Sequence, residues 1–452
     1  MHGNIPKKLF LQAYENKKFF VIFLVFYIAL LTDVSIGNTA DIIVEYATSI
    51  WGITLFVIIV IIYGIGQLVI LEMVKIKSKA SPLQSNNINR TVSIIQYILI
   101  AIMAFVTLQI ISSSFYYTKL LVAAVALSYG LGAFIMGFLA YKLLSWFKSN
   151  KNLAVLLYGL AAIMITINAA DSLVFFDVVL LDKPEIVTAQ SEVIFQVGFD
   201  PGTAMSVVAN VQTISLVAYF LLTWGGTIML LRYNIKRIGR AKFWPLVTLP
   251  IIYFMSYYVI LYEVINPTSP VTEALSSNFL IPILLYTYAI ATCGILFGFG
   301  FFSVAKSVTP YHHPLKDFLL IAGYGFALFF TAAQATVLQA GYPPFGLANV
   351  SSVGLASFLI LSGLYQAAIA MSHDMNLRRS VKKSSADESK LLDAVGFAEV
   401  HDEIKKKVMR ITKENAEKLV QESKVEPSLA DTELEKYLDE ALEEVRKKKN
   451  TK

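Results

Sequence analysis

Charge is what this chain has least of. Only 15% of its 452 residues are Asp, Glu, Lys or Arg, against roughly 25% in ordinary soluble domains. More than half of those few fall within residues 373–452, which leaves the rest of the chain almost uncharged. Cysteine is nearly missing too. Cys293 alone excludes an intrachain disulfide and a thiolate metal cluster, and its place in the apolar stretch Ile283–Phe302 makes it a small packed residue. No Walker A glycine loop, His-Glu-x-x-His, Gly-x-Ser-x-Gly or clustered Cys/His spacing occurs. The expectation is therefore a protein that is not an enzyme and carries no metal or cofactor. The pair His312-His313 has no third ligand nearby and is expected in a solvated loop.

Long apolar runs are present instead. Hydrophobic residues make up 56% of the chain, and a membrane span needs about 20 mostly apolar residues in succession. Ten such runs occur: 19–37, 48–72, 92–113, 119–146, 153–176, 207–231, 243–264, 278–304, 317–340 and 347–371. The fold expected is all-α: a polytopic transmembrane bundle of about ten helices over 19–371, after a cytosolic segment 1–18. The first run is short, because Asp33 interrupts it after Phe19–Thr32. It would serve as an uncleaved anchor or as a cleaved signal, which would leave nine helices.

Basic residues set the orientation, since cytosolic loops collect Lys and Arg. With the N-terminus inside, 18 of them precede or join the spans on the cytosolic side, among them Lys17, Lys18, Lys75, Lys148, Arg232 and Lys236. Two, Lys119 and Lys183, fall outside, and the last 18 belong to the tail. Acids mirror this, with Asp33, Asp41, Asp182, Glu185 and Glu263 among those at outer positions. The net charge of +6 is then a matter of topology and anionic lipid, and no nucleic-acid partner is implied. A plasma-membrane protein with both termini in the cytosol is expected.

Ionisable groups at bilayer depth are costly and usually functional, and the midplane holds almost none. The outer third differs. Gln109, Asn168, Asp171, Asn210, Gln212, Gln334 and Asn349 come out at a similar height. Asn168 and Asp171, three apart, share a helix face. Such a layer would line an externally open ligand pocket below the long loop 182–206, where 185–189 and 192–197 have the pattern of a short hairpin. Gly294 and Gly298 give the eighth span a flat face for close helix packing. Three matching places, Tyr63-Gly64 with Trp224-Gly225, Lys75 with Lys236, and Gly159 with Gly323, suggest that spans two to five and six to nine repeat one unit.

The tail 372–452 is expected to be cytosolic, helical and partly disordered. The cluster Arg378, Arg379, Lys382 and Lys383 would contact lipid headgroups. Two amphipathic helices should follow, one carrying Ile404, Val408 and Ile411, the other opening at Ser428 with Asp431 as a capping box. Too short to stand alone in water, they would use residues 398–449 to bind a cytosolic protein or a second copy. The stretch Val400–Lys405 is similar to the phosphoacceptor box of histidine kinases, but the 51 residues after His401 leave no room for an ATP-binding domain.

The junction Met371–Lys383, followed by Glu388–Asp393, resembles that of uncharacterised multi-pass membrane proteins of ammonia-oxidising archaea. The resemblance implies an archaeal plasma membrane and carries no activity. On the residues, a receptor relaying an external cue to its tail comes first. A secondary transporter of a neutral or weakly polar solute is the alternative, and a membrane assembly subunit the third reading.

Overall fold

Apolar runs this long can bury their backbone polar groups in lipid only as helices, and helices are what form. In a computed structural model the described residues are 5–39, 44–78, 86–150, 152–191, 203–233, 235, 239–265, 280–307, 313–334 and 341–373. In chain order they build α1 (Ile5–Thr39), α2 (Val44–Ala47), α3 (Ile50–Ser78), α4 (Asn86–Ser113), β1 (Phe115–Tyr117), α5 (Thr118–Asn150), α6 (Leu153–Leu181) and β2 (Ile186–Thr188). Then follow α7 (Ala204–Tyr233), α8 (Arg240–Ile265), α9 (Leu280–Ser307), α10 (His313–Ala332), α11 (Leu347–Ser351) and α12 (Val353–His373).

Nine stretches among the described helices are long and apolar enough to cross a membrane. They correspond to every expected span but the seventh, which falls on α8, with a described apolar stretch of Phe243–Ser256. The chain is a multi-pass membrane protein. The tail, including Arg378, Arg379, Lys382 and Lys383 and the helices expected over 398–449, lies outside the described residues, as does His312.

The spans are not equivalent. Within their most apolar windows α10 and α11–α12 are 89% buried, against 33% for α3 and 28% for α4. The last two spans therefore form the centre. Helices α3 and α4 turn an apolar face outward through Ile58, Ile61, Ile65, Phe105 and Leu108. Lipid covers such a face at no cost.

Small residues make that centre dense. Without a hydrophobic force between helices in lipid, close backbone approach supplies the packing. A Cβ on Gly363 of α12 would stand 2.4 Å from the backbone N of Ala322 on α10. On α9, Cβ atoms at Gly294 and Gly298 would stand 2.7 Å from the Cβ of Phe330 and from the carbonyl O of Gly323. The flat face expected at Gly294 and Gly298 thus meets α10 of the same chain. Cys293 is fully buried beside it, its Sγ 3.3 Å from the carbonyl O of Pro250.

The two strands close one end. β1 pairs antiparallel with β2, Tyr116 opposite Val187. The arm expected over 185–189 is therefore a strand, but its partner is the turn between α4 and α5. Residues 192–197, expected as the other arm, lie outside the described residues.

Candidate functional site

Two helices stop inside the bundle. Apolar run length carries the ninth span to residue 340, yet α10 ends at Ala332. Gly341, Tyr342, Pro343, Pro344, Phe345 and Gly346 follow as buried, non-helical chain before α11 begins at Leu347. The reason is local. Two consecutive prolines between two glycines remove backbone donors and cannot continue a helix. Irregular backbone at membrane depth survives only when protein covers it, and here it is covered. Tyr116 of β1 stacks on Tyr342 and donates its hydroxyl to the Gly341 carbonyl at 2.9 Å, while Phe345 packs edge-on against Phe56 of α3.

A helix start leaves N–H groups without partners, and normally the side chain before the first turn accepts from one of them. Here that place is held by Gly346, in the left-handed conformation at φ 93° and with no side chain to offer. Asp33 of α1 substitutes from 313 residues away. Its Oδ1 accepts from the Gly346 N–H and its Oδ2 from the Asn349 N–H, both at 2.9 Å. Expected at an outer helix end, Asp33 lies six residues before the end of α1, turned inward and fully buried. It is the fifteenth residue of the 21-residue apolar stretch Phe19–Thr39, in its last third.

The opposite helix end is closed by Asn349. Its Nδ2 donates to the Thr331 carbonyl in the last turn of α10 at 2.9 Å, a carbonyl that helix geometry would leave open. The Thr331 hydroxyl sits 2.8 Å from that of Tyr27 on α1. One carboxylate and one amide therefore bind the end of α10 and the start of α11 to α1. Deeper in, Ser128 of α5 donates to the Val350 carbonyl at 2.8 Å and accepts from the Gly354 N–H at 3.2 Å. The hydroxyls of Tyr63 and Ser351 are buried without a hydrogen-bond partner among the described residues.

A second polar group lies between α6 and α7. Asn168 Nδ2 donates to the Gln212 carbonyl at 3.0 Å and to Ser215 Oγ at 2.9 Å, and Gln212 Nε2 donates to Ser172 Oγ at 3.0 Å. This joins two continuous helices through hydrogen bonds between them.

The seven residues expected in one polar layer are thus distributed. Asn168 and Gln212 come together at the α6–α7 seam. Asp171 is half-buried beside them on α6, one carboxylate oxygen enclosed without a partner. Asn210 is exposed on α7. Gln109 accepts from the Tyr117 N–H at 3.4 Å, steadying β1. Gln334 is half-buried just past the end of α10, and Asn349 belongs to the interior junction. What the layer omitted are Asp33 and two glutamines, Gln67 on α3 and Gln96 on α4, both fully buried. Asp33 carried a signal, as an acid inside an apolar run. The glutamines carried none beyond being polar in the middle of a span.

Comparison of the chain with models of protein families, with curated proteins and with solved structures finds no match.

Proposed function

We propose that the protein is a secondary transporter of a small, neutral or weakly polar solute, resident in the plasma membrane with both termini in the cytosol. The observation that carries this reading is the buried, non-helical chain Gly341–Gly346 between two successive spans, whose helix ends are held by Asp33 of α1 and by Asn349. Transporters commonly place their sites where broken helices expose end groups near the midplane. The repeat inferred between spans two to five and six to nine supports it. Gly159 packs on Leu143 and Leu144 of α5, one helix back, as Gly323 packs on Gly298 and Phe302 of α9. The basic loops, counted on the sequence, support the orientation, and the resemblance of the tail supports an archaeal membrane.

A receptor is the second reading. It rests on the amphipathic pattern of the tail, which would give a sensed cue a protein to recruit.

One experiment separates these readings without a known substrate. A cysteine is placed at Ser351, on a Cys293→Ser background, and probed with a membrane-impermeant methanethiosulfonate in vesicles of each orientation. Alternating access requires labelling from both faces, unchanged by deletion of 373–452. Labelling from one face, as a receptor pocket would give, or from neither, as an assembly subunit would give, overturns the transporter.

A further inference from the structure

Buried polar side chains in folded proteins find partners as a rule, because a lone amide in an apolar interior costs free energy. Gln67 and Gln96 break that rule together. Both are 0% exposed, and neither the amide nitrogen nor the oxygen of either has a hydrogen-bond partner among the described residues.

The fold puts them at one level. Gln96 Nε2 lies 3.2 Å from where a Cβ on Gly354 would stand, so it points at the bare backbone of α12. Gln67 is four residues beyond Tyr63, and both are on the buried face of α3. On α3 a Cβ at Gly64 would stand 3.9 Å from Ile100 Cγ2 of α4. Since these successive spans run in opposite directions, Gln67, three residues on, and Gln96, four residues back, fall at about one height. Helices α3 and α4 pack directly on one another and on α12. Two complete primary amides therefore converge on the first turn of α12, just inward of the α10–α11 junction.

We propose that Gln67 and Gln96 form the solute site, and that the solute is a small uncharged molecule of the primary-amide class. The inference rests on the transporter reading and names its substrate. Each glutamine offers two donors and an oxygen acceptor, and a ligand with both a carbonyl and an NH2 satisfies both kinds at once. A charged solute is refused, because among the described residues the buried polar side chains on α3, α4 and α12 are uncharged, and isolated charges are far costlier to bury than amides. The glycine at 354 lets the Gln96 amide approach the α12 backbone, since a Cβ there would stand 2.9 Å from Leu131 and 3.2 Å from Gln96 Nε2. Amides kept unpartnered in a tight core weaken the fold, and such a cost is retained where it serves binding.

The test uses the full chain in nanodiscs, with acetamide as probe and acetone, which lacks the donor, as control. Acetamide should raise the melting temperature by about 1–2 °C more than acetone. Gln67→Leu and Gln96→Leu should each abolish that difference while themselves raising the melting temperature, since each removes an unpartnered amide. An identical acetamide response in the variants means a bulk additive effect only, and overturns the site. A fall in melting temperature in either variant means that the amide has a structural partner, and overturns it too. Because binding in nanodiscs does not require access from both faces, a positive acetamide result beside one-sided labelling at Ser351→Cys sinks the transporter and leaves the site standing.

Discussion

The α6–α7 seam and the α10–α11 junction bury polar side chains in the same bundle for different ends. At the seam two unbroken helices face each other, and three amide N–H groups of Asn168 and Gln212 bond across it. At the junction a third helix must supply a carboxylate to hold a broken backbone. Acceptor capacity is still left over, since Asn349 Oδ1 has no partner among the described residues. Asp171 Oδ2 beside the seam is unpartnered among them too. The difference therefore lies in what is held: at the seam two continuous helices to each other, at the junction two helix ends next to chain that cannot relax into a helix.

If that contrast is right, the largest effect of any single change should come from Asp33. Replacing it with leucine strands the Gly346 and Asn349 N–H groups in an apolar interior, at about 1–3 kcal/mol for each unpaired group. Asp33→Leu should therefore cost about 3–5 kcal/mol in reversible unfolding of the full chain in bicelles. Asp33→Asn, which retains one carbonyl acceptor, should cost about half as much. Should Asp33→Leu prove no more harmful than a change at the seam, the junction is not held as described.

Much of this architecture is legible in the amino-acid sequence. Lipid reduces the choices to helices, so span number follows from apolar run length, and the packing role of Gly294 and Gly298 from their spacing. The ends of the ninth and tenth spans are not legible in the same way. Hydropathy counts Tyr342 and Phe345 as membrane residues whether or not they are helical, and so the run 317–340 conceals the stop at Ala332. The two prolines beside them are the better guide. The polar layer fails as a single surface because height in the membrane is read from position, whereas facing is set by packing. Asn168 and Asn210 lie at one height, yet one is buried and the other exposed. Long-range pairing is harder still, since nothing local in the sequence says that Asp33 will serve as the missing cap of a glycine 313 residues later.

A smaller effect, of opposite sign to that expected at Gln96, sharpens the comparison at the seam. Interhelical hydrogen bonds within membranes average about 0.6 kcal/mol, with a maximum near 1.7. Asn168→Leu removes two of them and should destabilise by about 1 kcal/mol in the same unfolding assay. Stabilisation by this change would place Asn168 with the glutamines, and its hydrogen bonds would not hold the seam.

The smallest effect lies outside the membrane, where β2 meets α5. The Lys119 ammonium pairs with Glu185 and holds that carboxylate below its usual range, chiefly through the hydrogen bond and then through the opposite charge. An acid with a depressed folded pKa gives stability that is complete above its unfolded value, about 4.3, and is lost as pH falls through the folded one. Both partners are exposed, so salt should screen the contribution. A Glu185→Gln chain should thus melt slightly below the natural one at pH 7 in low salt. The gap should close by pH 3, and should close in 1 M salt at pH 7. The deficits of Asp33→Leu and Asn168→Leu at pH 7 should persist in the same 1 M salt, because their hydrogen bonds are shielded from it by the bundle. A Glu185→Gln gap that survives both acid and salt would mean that Glu185 acts through contacts other than Lys119. The strand pair would then be held by its backbone ladder and by the Thr118 N–H bond to the Glu185 carbonyl at 3.1 Å, without help from the ion pair.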